Sequence, residues 1–197
     1  MWETVFKPFV RRQCFMALPV LLKPRSVGYL KLASANPYEH PIIEPNYFAH
    51  PDDLESMAEA MTIIFQLLNS APFKRKFNAV PSDIVVPGCE PYPLYSHAYM
   101  KCMAQALSAT MYHPTGTCKM GGAHDRSTVV DPELRVKGVK RLRVVDGSVM
   151  PEITSGNTNA PINMLAEKAA DMIKGIRSTP KIRFAQYMHL YSNSVYL

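Results

Sequence analysis

The hydrophobic period of the chain changes near Asp52, and this change limits the folds that the sequence can adopt. Upstream, short apolar runs alternate with turns that contain proline or asparagine, a pattern typical of antiparallel strands. The runs are 18–22, 27–33 and 41–44. Downstream, apolar side chains recur at three- and four-residue spacing over residues 54–68, as in an amphipathic helix, and Asp52 with Glu55 resembles a capping box at its start. We therefore predict an α+β fold, an antiparallel sheet with packed helices.

Two further helices are predicted along the chain. Ser96 has the hydroxyl side chain of an N-cap, and the helix after it should end near Met111, because residues just before Pro114 avoid helical backbone angles. Pro161 suits the first turn of the last helix, which should bury apolar side chains as far as Ile176. Between these helices, the apolar runs 134–136 and 142–145 flank Lys137-Gly138 and should form a hairpin or paired strands.

Composition excludes several classes of protein. Hydrophobic residues make up 47% of the 197-residue chain, enough for a continuous core, so a disordered or collagen-like chain is excluded. The 22 Lys and Arg outnumber the 16 Asp and Glu, giving a net charge of +6. These basic residues are spread along the chain without the aromatic interleaving of a nucleic-acid-binding face, so no nucleic-acid partner is expected.

The sequence also lacks membrane and metal signals. Its most apolar stretch, 14–22, is interrupted by Pro19 and falls well short of the roughly 18 apolar residues that span a bilayer. The N-terminus has no secretory signal pattern, so a signal of a secreted parent would lie outside this chain. Four cysteines occur singly and fix no disulfide pairing or zinc site: Cys14, Cys89, Cys102 and Cys118. Five histidines have no partner at a ligand spacing, so no metal site is predicted: His40, His50, His97, His124 and His189.

Two polar loops could carry chemistry. The loop 112–121 offers His113, and imidazole is the side chain that changes protonation state most readily near neutral pH. The loop 155–161 offers amide side chains and free backbone N–H groups at a helix start, where the positive end of the helix dipole stabilises an anion. Each loop also has an ordinary interpretation: a histidine before proline is more often a surface residue, and Gly156-Asn157 is common turn chemistry.

The order of several motifs resembles the C-terminal part of the glucose-methanol-choline (GMC) oxidoreductases. The resemblance includes Tyr112-His113-Pro114-x-Gly116-Thr117-Cys118-x-Met120-Gly121 and covers about residues 15–177. The other motifs follow in the same order as in the family, at 21–28, 45–53, 129–136, 142–151, 156–161 and 166–171. Within the family, the chain is most similar to glucose dehydrogenases that use FAD and a quinone acceptor.

The resemblance implies an active site. In the family, the histidine at the position of His113 is the base that accepts the hydroxyl proton of an alcohol or sugar, while hydride leaves the same carbon for N5 of the flavin. Asn157 occupies the second active-site position and would hydrogen-bond the substrate oxygen. The residues implied to contact FAD are Asp146, Gly147, Asn159, Ala160, Pro161 and Ile162. The electron acceptor would be a quinone or another oxidant.

One departure from the family pattern is large. The chain contains no Gly-x-Gly-x-x-Gly motif between a strand and a helix, which a dinucleotide-binding fold requires. We therefore expect residues 1–15 to lead in from a missing larger chain, residues 16–177 to form the GMC C-terminal substrate domain, and residues 178–197 to form a tail without an assigned role. The partner of this domain would be the missing N-terminal FAD-binding region, and the isolated chain would be inactive.

Two alternatives come from other classes of protein. Flavin-containing hydroxynitrile lyases use the same scaffold for cleavage without net redox change. The chain could also be an inactive fragment or an interaction module that keeps only the fold.

Overall fold

The helix predicted at the change of period is the longest element of the structure. A computed structural model describes residues 1–176, and in it helix α1 spans Pro51–Leu68. The predicted capping box is wrong: the N-cap is His50, whose Nδ1 accepts the Asp52 N–H at 3.3 Å. Glu55 instead shares a hydrogen bond with His97 and forms an ion pair with Lys101 of a later helix, because its side chain lies on the face that meets that helix.

A small antiparallel sheet precedes α1. Strand β1, Tyr29–Lys31, pairs with β2, Ile42–Glu44, and Leu30 lies opposite Ile43. Both strands fall inside the predicted runs, which confirms the predicted fold class. The run 18–22 is not a strand: it pairs with no other segment among residues 1–176, and Pro19 removes one of the N–H groups that a ladder would need.

Helices α2, Ala71–Phe77, and α3, His97–Leu107, follow α1. Ser96 is the N-cap of α3 as predicted, and its hydroxyl accepts the Tyr99 N–H at 3.1 Å. Helix α3 ends four residues before the predicted Met111. The seven-residue α2 was not predicted, because an apolar period cannot be read over so few positions.

A disulfide that the sequence did not predict ties the irregular segment 81–93 to α3. Cys89 and Cys102 are joined with their Cα atoms 5.7 Å apart. Cys89 is buried together with Val86 and Tyr99, and the Tyr99 hydroxyl accepts the Val86 N–H at 3.0 Å. This cluster forms the core beneath α3. Cys14 and Cys118 are free thiols.

The residues described so far belong to the first of two compact units, Met1–Thr117 with Glu152–Thr158. The second unit contains Cys118–Pro151 and the chain from Asn159 onward. Its core is a cluster of buried apolar side chains: Val130, Leu134, Val149, Met150, Leu165 and Ala169.

The predicted pairing of runs 134–136 and 142–145 is confirmed in a looser form. The Val136 N–H donates to the Leu142 carbonyl at 3.0 Å, and a single antiparallel bridge joins Arg135 to Arg143. No continuous strands form here, because the connection is a five-residue turn in which Gly138 adopts a φ of +78°. Helix α4 spans Asn159–Ile173.

Helix α4 begins two residues before Pro161 and therefore agrees with the predicted start. It buries Leu165 and Ala169 against the core of the second unit. The expected burial as far as Ile176 is wrong, because the helix ends at Ile173 and both isoleucines are exposed. The tail predicted at 178–197 lies outside the described residues. Within residues 1–176, no helix is long and apolar enough to cross a membrane, and no cluster of side chains could hold a metal ion.

A buried carboxylate, Asp53, holds the start of α1 to the loop before β1. Only 3% of Asp53 is exposed, and it accepts the Arg25 N–H at 2.9 Å and the Ser26 N–H at 2.7 Å. Burial raises the pKa of this carboxyl, but hydrogen bonds from the Arg25 N–H and from the Ser26 hydroxyl and N–H outweigh burial. The pKa of Asp53 therefore lies below its usual value.

We expect Asp53→Asn to lower the free energy of unfolding by about 1–3 kcal/mol at pH 7, because buried donors lose their charged acceptor. Since the folded-state pKa is lowered, the contribution is fully present above the unfolded pKa of about 3.9 and is lost as pH falls through the folded pKa. Urea unfolding at several pH values between pH 7 and pH 2 measures the free energy of unfolding on both sides of the pKa of Asp53. Asp52→Asn, which removes an exposed ion pair with Arg25, is the matched control. Equal losses in the two variants would contradict the assignment.

Candidate active site

His113 lies on the loop that follows α3. Its imidazole is half-buried, and within residues 1–176 it makes no hydrogen bond. The preceding residue, Tyr112, is 89% exposed and has a φ of +63°, a conformation that a bulky side chain rarely adopts. The loop therefore presents a half-buried imidazole that has no hydrogen-bond partner among residues 1–176.

Asn157 lies on the segment 152–158, which belongs to the first unit although the chain reaches it after crossing the second unit. Its side chain is exposed and makes no hydrogen bond within residues 1–176. A tight turn precedes it, in which the Gly156 N–H donates to the Thr154 carbonyl at 2.9 Å. Thr158, immediately after it, is buried and anchors the end of the segment. The carboxamide of Asn157 is therefore available to a ligand.

The predicted flavin-contacting residues all lie in the second unit. Asp146 caps the 3₁₀ turn Gly147–Val149, with its Oδ1 accepting the Ser148 N–H at 2.8 Å. Gly147 and Val149 are buried, so the turn is fixed to the core of this unit. The other carboxylate oxygen of Asp146 has no partner among the described residues, and this exposed atom could accept a hydrogen bond from a hydroxyl group of a cofactor.

The N-terminus of α4 is suited to an anionic group. Asn159 and Ala160 are exposed, and no acidic side chain lies in the first turn. The first four N–H positions of a helix have no partner within it, and here Pro161 supplies no N–H, so the available donors are those of Asn159, Ala160 and Ile162. Together with the helix dipole, these donors favour negative charge at this end. A reduced flavin, which is anionic at its pyrimidine edge, fits this donor set.

The structure assigns the predicted site residues to units as follows. His113 and Asn157 belong to the first unit. The residues predicted to contact FAD belong to the second: Asp146, Gly147, Asn159, Ala160, Pro161 and Ile162. Their roles are still predictions.

Sequence reasoning missed two residues that support this region. Asp53 was included only as a member of the motif 45–53, and Lys23 only as a member of the motif 21–28. Lys23 donates a hydrogen bond to the Ile153 carbonyl at 2.6 Å, close to Asn157. The signal that could have drawn attention to them is the presence of both residues in motifs to which no role was given.

Comparisons with known proteins identify the family of the chain. Residues 24–166 match the family model described as GMC oxidoreductase. The chain is 41% identical over 156 residues to the glucose dehydrogenase [FAD, quinone] of Drosophila melanogaster, covering 79% of this chain and 25% of the relative. It is 44% identical over 157 residues to the mitochondrial choline dehydrogenase of Homo sapiens, covering 78% of this chain and 25% of the relative.

Solved structures show the same likeness. A formate oxidase of Aspergillus oryzae, studied for FAD modification, matches with a TM-score of 0.66 and 32% identity, covering 87% of this chain and 27% of that structure. Pyridoxine 4-oxidase from Mesorbium loti also matches with a TM-score of 0.66, at 28% identity, covering 80% of this chain and 29% of that structure. The chain spans about a quarter of the length of the curated relatives it matches. Since the family model covers well over half of its 197 residues, the chain belongs to the GMC oxidoreductase family.

Proposed function

We propose that this chain is the substrate-binding and catalytic part of an FAD-dependent oxidoreductase that acts on the CH–OH group of an alcohol or sugar. The observation that carries the proposal is the half-buried imidazole of His113, which makes no hydrogen bond within the described residues. Family membership supplies the reaction class, and several relatives are named as dehydrogenases of glucose, choline or alcohol.

His113 and Asn157 both act on the substrate oxygen, one as a proton acceptor and the other as a hydrogen-bond donor. The His113 imidazole accepts the hydroxyl proton, and loss of that proton weakens the C–H bond on the same carbon towards hydride departure. The Asn157 carboxamide donates a hydrogen bond to the oxygen, which gains negative charge as the proton leaves. When bound, the flavin of FAD supplies the hydride acceptor.

The second unit would hold the cofactor. Asp146 would accept a hydrogen bond, and the buried Gly147 allows the cofactor to approach the backbone of the turn. The first turn of α4, from Asn159 to Ile162, would direct its N–H groups at the pyrimidine edge. A quinone or another oxidant is the proposed electron acceptor.

A chimaera tests the proposal directly. Residues 16–177 replace the matching segment of the Drosophila melanogaster glucose dehydrogenase, so that the relative provides its own N-terminal part. We expect the purified chimaera to retain FAD and the visible absorbance of the flavin to bleach when an alcohol or sugar is added without oxygen. A chimaera that folds and binds FAD, but is reduced by none of a panel of alcohols and sugars that includes glucose and choline, would contradict the proposal.

The Asn157→Ala variant should have a milder defect than loss of a base. A hydrogen bond to a charged group contributes about 1.5–3 kcal/mol, so we expect flavin reduction in the chimaera to slow by about 10- to 150-fold. Stopped-flow measurement of flavin bleaching gives the rate. Gln66→Ala, which removes an exposed carboxamide on α1, is the control and should have little effect. Equal rates for Asn157→Ala and the unmodified chimaera would contradict the role of Asn157.

A further inference from the structure

Two motifs shared with the family, 21–28 and 45–53, have no role in the proposed chemistry. In the structure they are held against each other by hydrogen bonds and backbone contact. The Asp53 carboxylate binds the backbone N–H groups of Arg25 and Ser26. The Ser26 hydroxyl donates to Asp53 at 2.5 Å and accepts the His50 N–H at 3.0 Å. The loop 23–26 is therefore fixed to the start of α1 through a buried carboxylate.

The end of this loop, at Val27 and Gly28, contacts residues 44–46. The Asn46 side chain donates to the Val27 carbonyl at 3.1 Å. A Cβ atom at Gly28 would lie 2.1 Å from the Glu44 carbonyl oxygen and 2.7 Å from that of Pro45, so the two chain segments are in direct backbone contact. No side chain could be accommodated at Gly28 without moving the backbone. We call residues 23–28 and 44–53 the buttress.

Lys23 connects the buttress to the segment that carries Asn157. Its Nζ donates to the Ile153 carbonyl at 2.6 Å and lies 3.8 Å from a carboxylate oxygen of Glu152. Lys23 and Ile153 are 130 positions apart in the sequence. Within residues 1–176, this is the one hydrogen bond that joins segment 152–158 to the rest of the first unit.

Local geometry prepares Lys23 for this contact. Pro24 restricts the backbone of Lys23 to extended conformations, and Asp53 fixes the next two residues. The Lys23 side chain therefore extends from a backbone that is held on its C-terminal side. The carbonyl that it binds lies four residues before Asn157, and a tight turn at Thr154 and Gly156 occupies most of that distance.

We propose that Lys23 is a positioning residue for Asn157. By holding the Ile153 carbonyl, it fixes the segment from which the Asn157 carboxamide reaches the substrate oxygen, and the buttress provides the rigid support. This inference rests on the function proposed for Asn157. It assigns a role to the two motifs, which would otherwise be needed only for folding.

Hydrogen exchange of the 197-residue chain tests the contact without requiring a loaded enzyme. Removing one hydrogen bond should raise the population of locally open states about three- to tenfold, and amide exchange rates rise by the same factor. Among residues 154–158, the Gly156 N–H is the one that donates to a carbonyl of the described residues, so we expect Lys23→Met to accelerate exchange of this amide by that amount and Lys23→Arg to restore its protection. Lys31→Met, which removes an exposed lysine on β1, is the matched control and should leave exchange of the Gly156 amide unchanged. Circular dichroism checks that all three variants are folded.

A double-mutant cycle in the chimaera tests whether the contact acts through Asn157. Lys23→Met should slow flavin reduction about three- to tenfold when Asn157 is present and have little further effect in the Asn157→Ala background. Unchanged exchange of the Gly156 amide in Lys23→Met would overturn the positioning role, whatever the kinetics. Faster exchange with equal rate losses in both backgrounds would also overturn it, because the contact would then be structural only. An Asn157→Ala variant with no defect of its own would instead show that the proposed function of Asn157 fails.

Discussion

Replacing His113 with alanine should slow flavin reduction in the chimaera by about 10²–10⁴-fold while its FAD content stays the same. A positioned base contributes a factor of this size to proton transfer, and alanine leaves no group in its place. His113 is not among the residues predicted to contact FAD, so the substitution should spare cofactor binding. Anaerobic stopped-flow measurement of flavin bleaching gives the rate, and absorbance of the denatured, released FAD gives the occupancy.

The control for this experiment is His124→Ala, which removes an exposed histidine of the second unit. Its reduction rate should match that of the unmodified chimaera. Added imidazole should restore part of the activity of His113→Ala, since the missing group is then supplied from solution. Unchanged reduction kinetics in His113→Ala would contradict the assignment of the base.

A chimaera that cleaves a cyanohydrin without bleaching its flavin would favour the lyase alternative instead.

The parts of the fold that the sequence predicts are those whose interactions are local. The spacing of apolar side chains over residues 54–68 indicates the apolar face of a single helix, and α1 contains all of these positions. Ser96 likewise indicates an N-cap by its residue type, because its hydroxyl accepts the N–H of a residue only three positions away. These signals require no knowledge of where distant segments lie.

The interactions that the sequence does not predict join distant or irregular segments. The disulfide pairs Cys89 with Cys102, and any two of four single cysteines were equally compatible with the spacing. Asp53 looks like an ordinary helix-start residue until the loop at Arg25, 28 positions away, is placed against it. The run 18–22 has the composition of a strand, but a strand needs a neighbour, and composition does not show whether one is present.

The candidate site shows the same division. The residue types suggested a proton acceptor at His113 and an anion site at the start of α4, but the resemblance to the family was needed to assign their roles. The contact between Lys23 and Ile153 spans 130 positions and could be found only from the structure. A surface lysine has no period or spacing that would mark it as a support for a distant loop.

The 197-residue chain by itself should bind FAD with a dissociation constant weaker than about 100 µM, corresponding to less than about 5.5 kcal/mol of binding free energy. The tightest contacts of a bound dinucleotide are made by a glycine-rich turn whose backbone N–H groups surround the pyrophosphate, and the sequence contains no such turn. The residues predicted to contact FAD lie in the Asp146 turn and the first turn of α4, and we expect them to contact only the flavin half of the cofactor. Isothermal titration calorimetry with FAD measures the affinity.

Comparison of FAD with FMN separates weak binding from wrong placement of the site. FMN lacks the adenosine monophosphate part of FAD, so a chain that contacts only the flavin half should bind the two with similar weak affinities. The chimaera, which carries the N-terminal part of the relative, should prefer FAD strongly. Tight stoichiometric binding of FAD to the 197-residue chain would contradict this account. The chain would then have to contain a pyrophosphate-binding site other than a glycine-rich turn. A clear preference of the isolated chain for FAD over FMN would point to the same conclusion even if both bind weakly, since only contacts to the adenosine half can distinguish the two ligands.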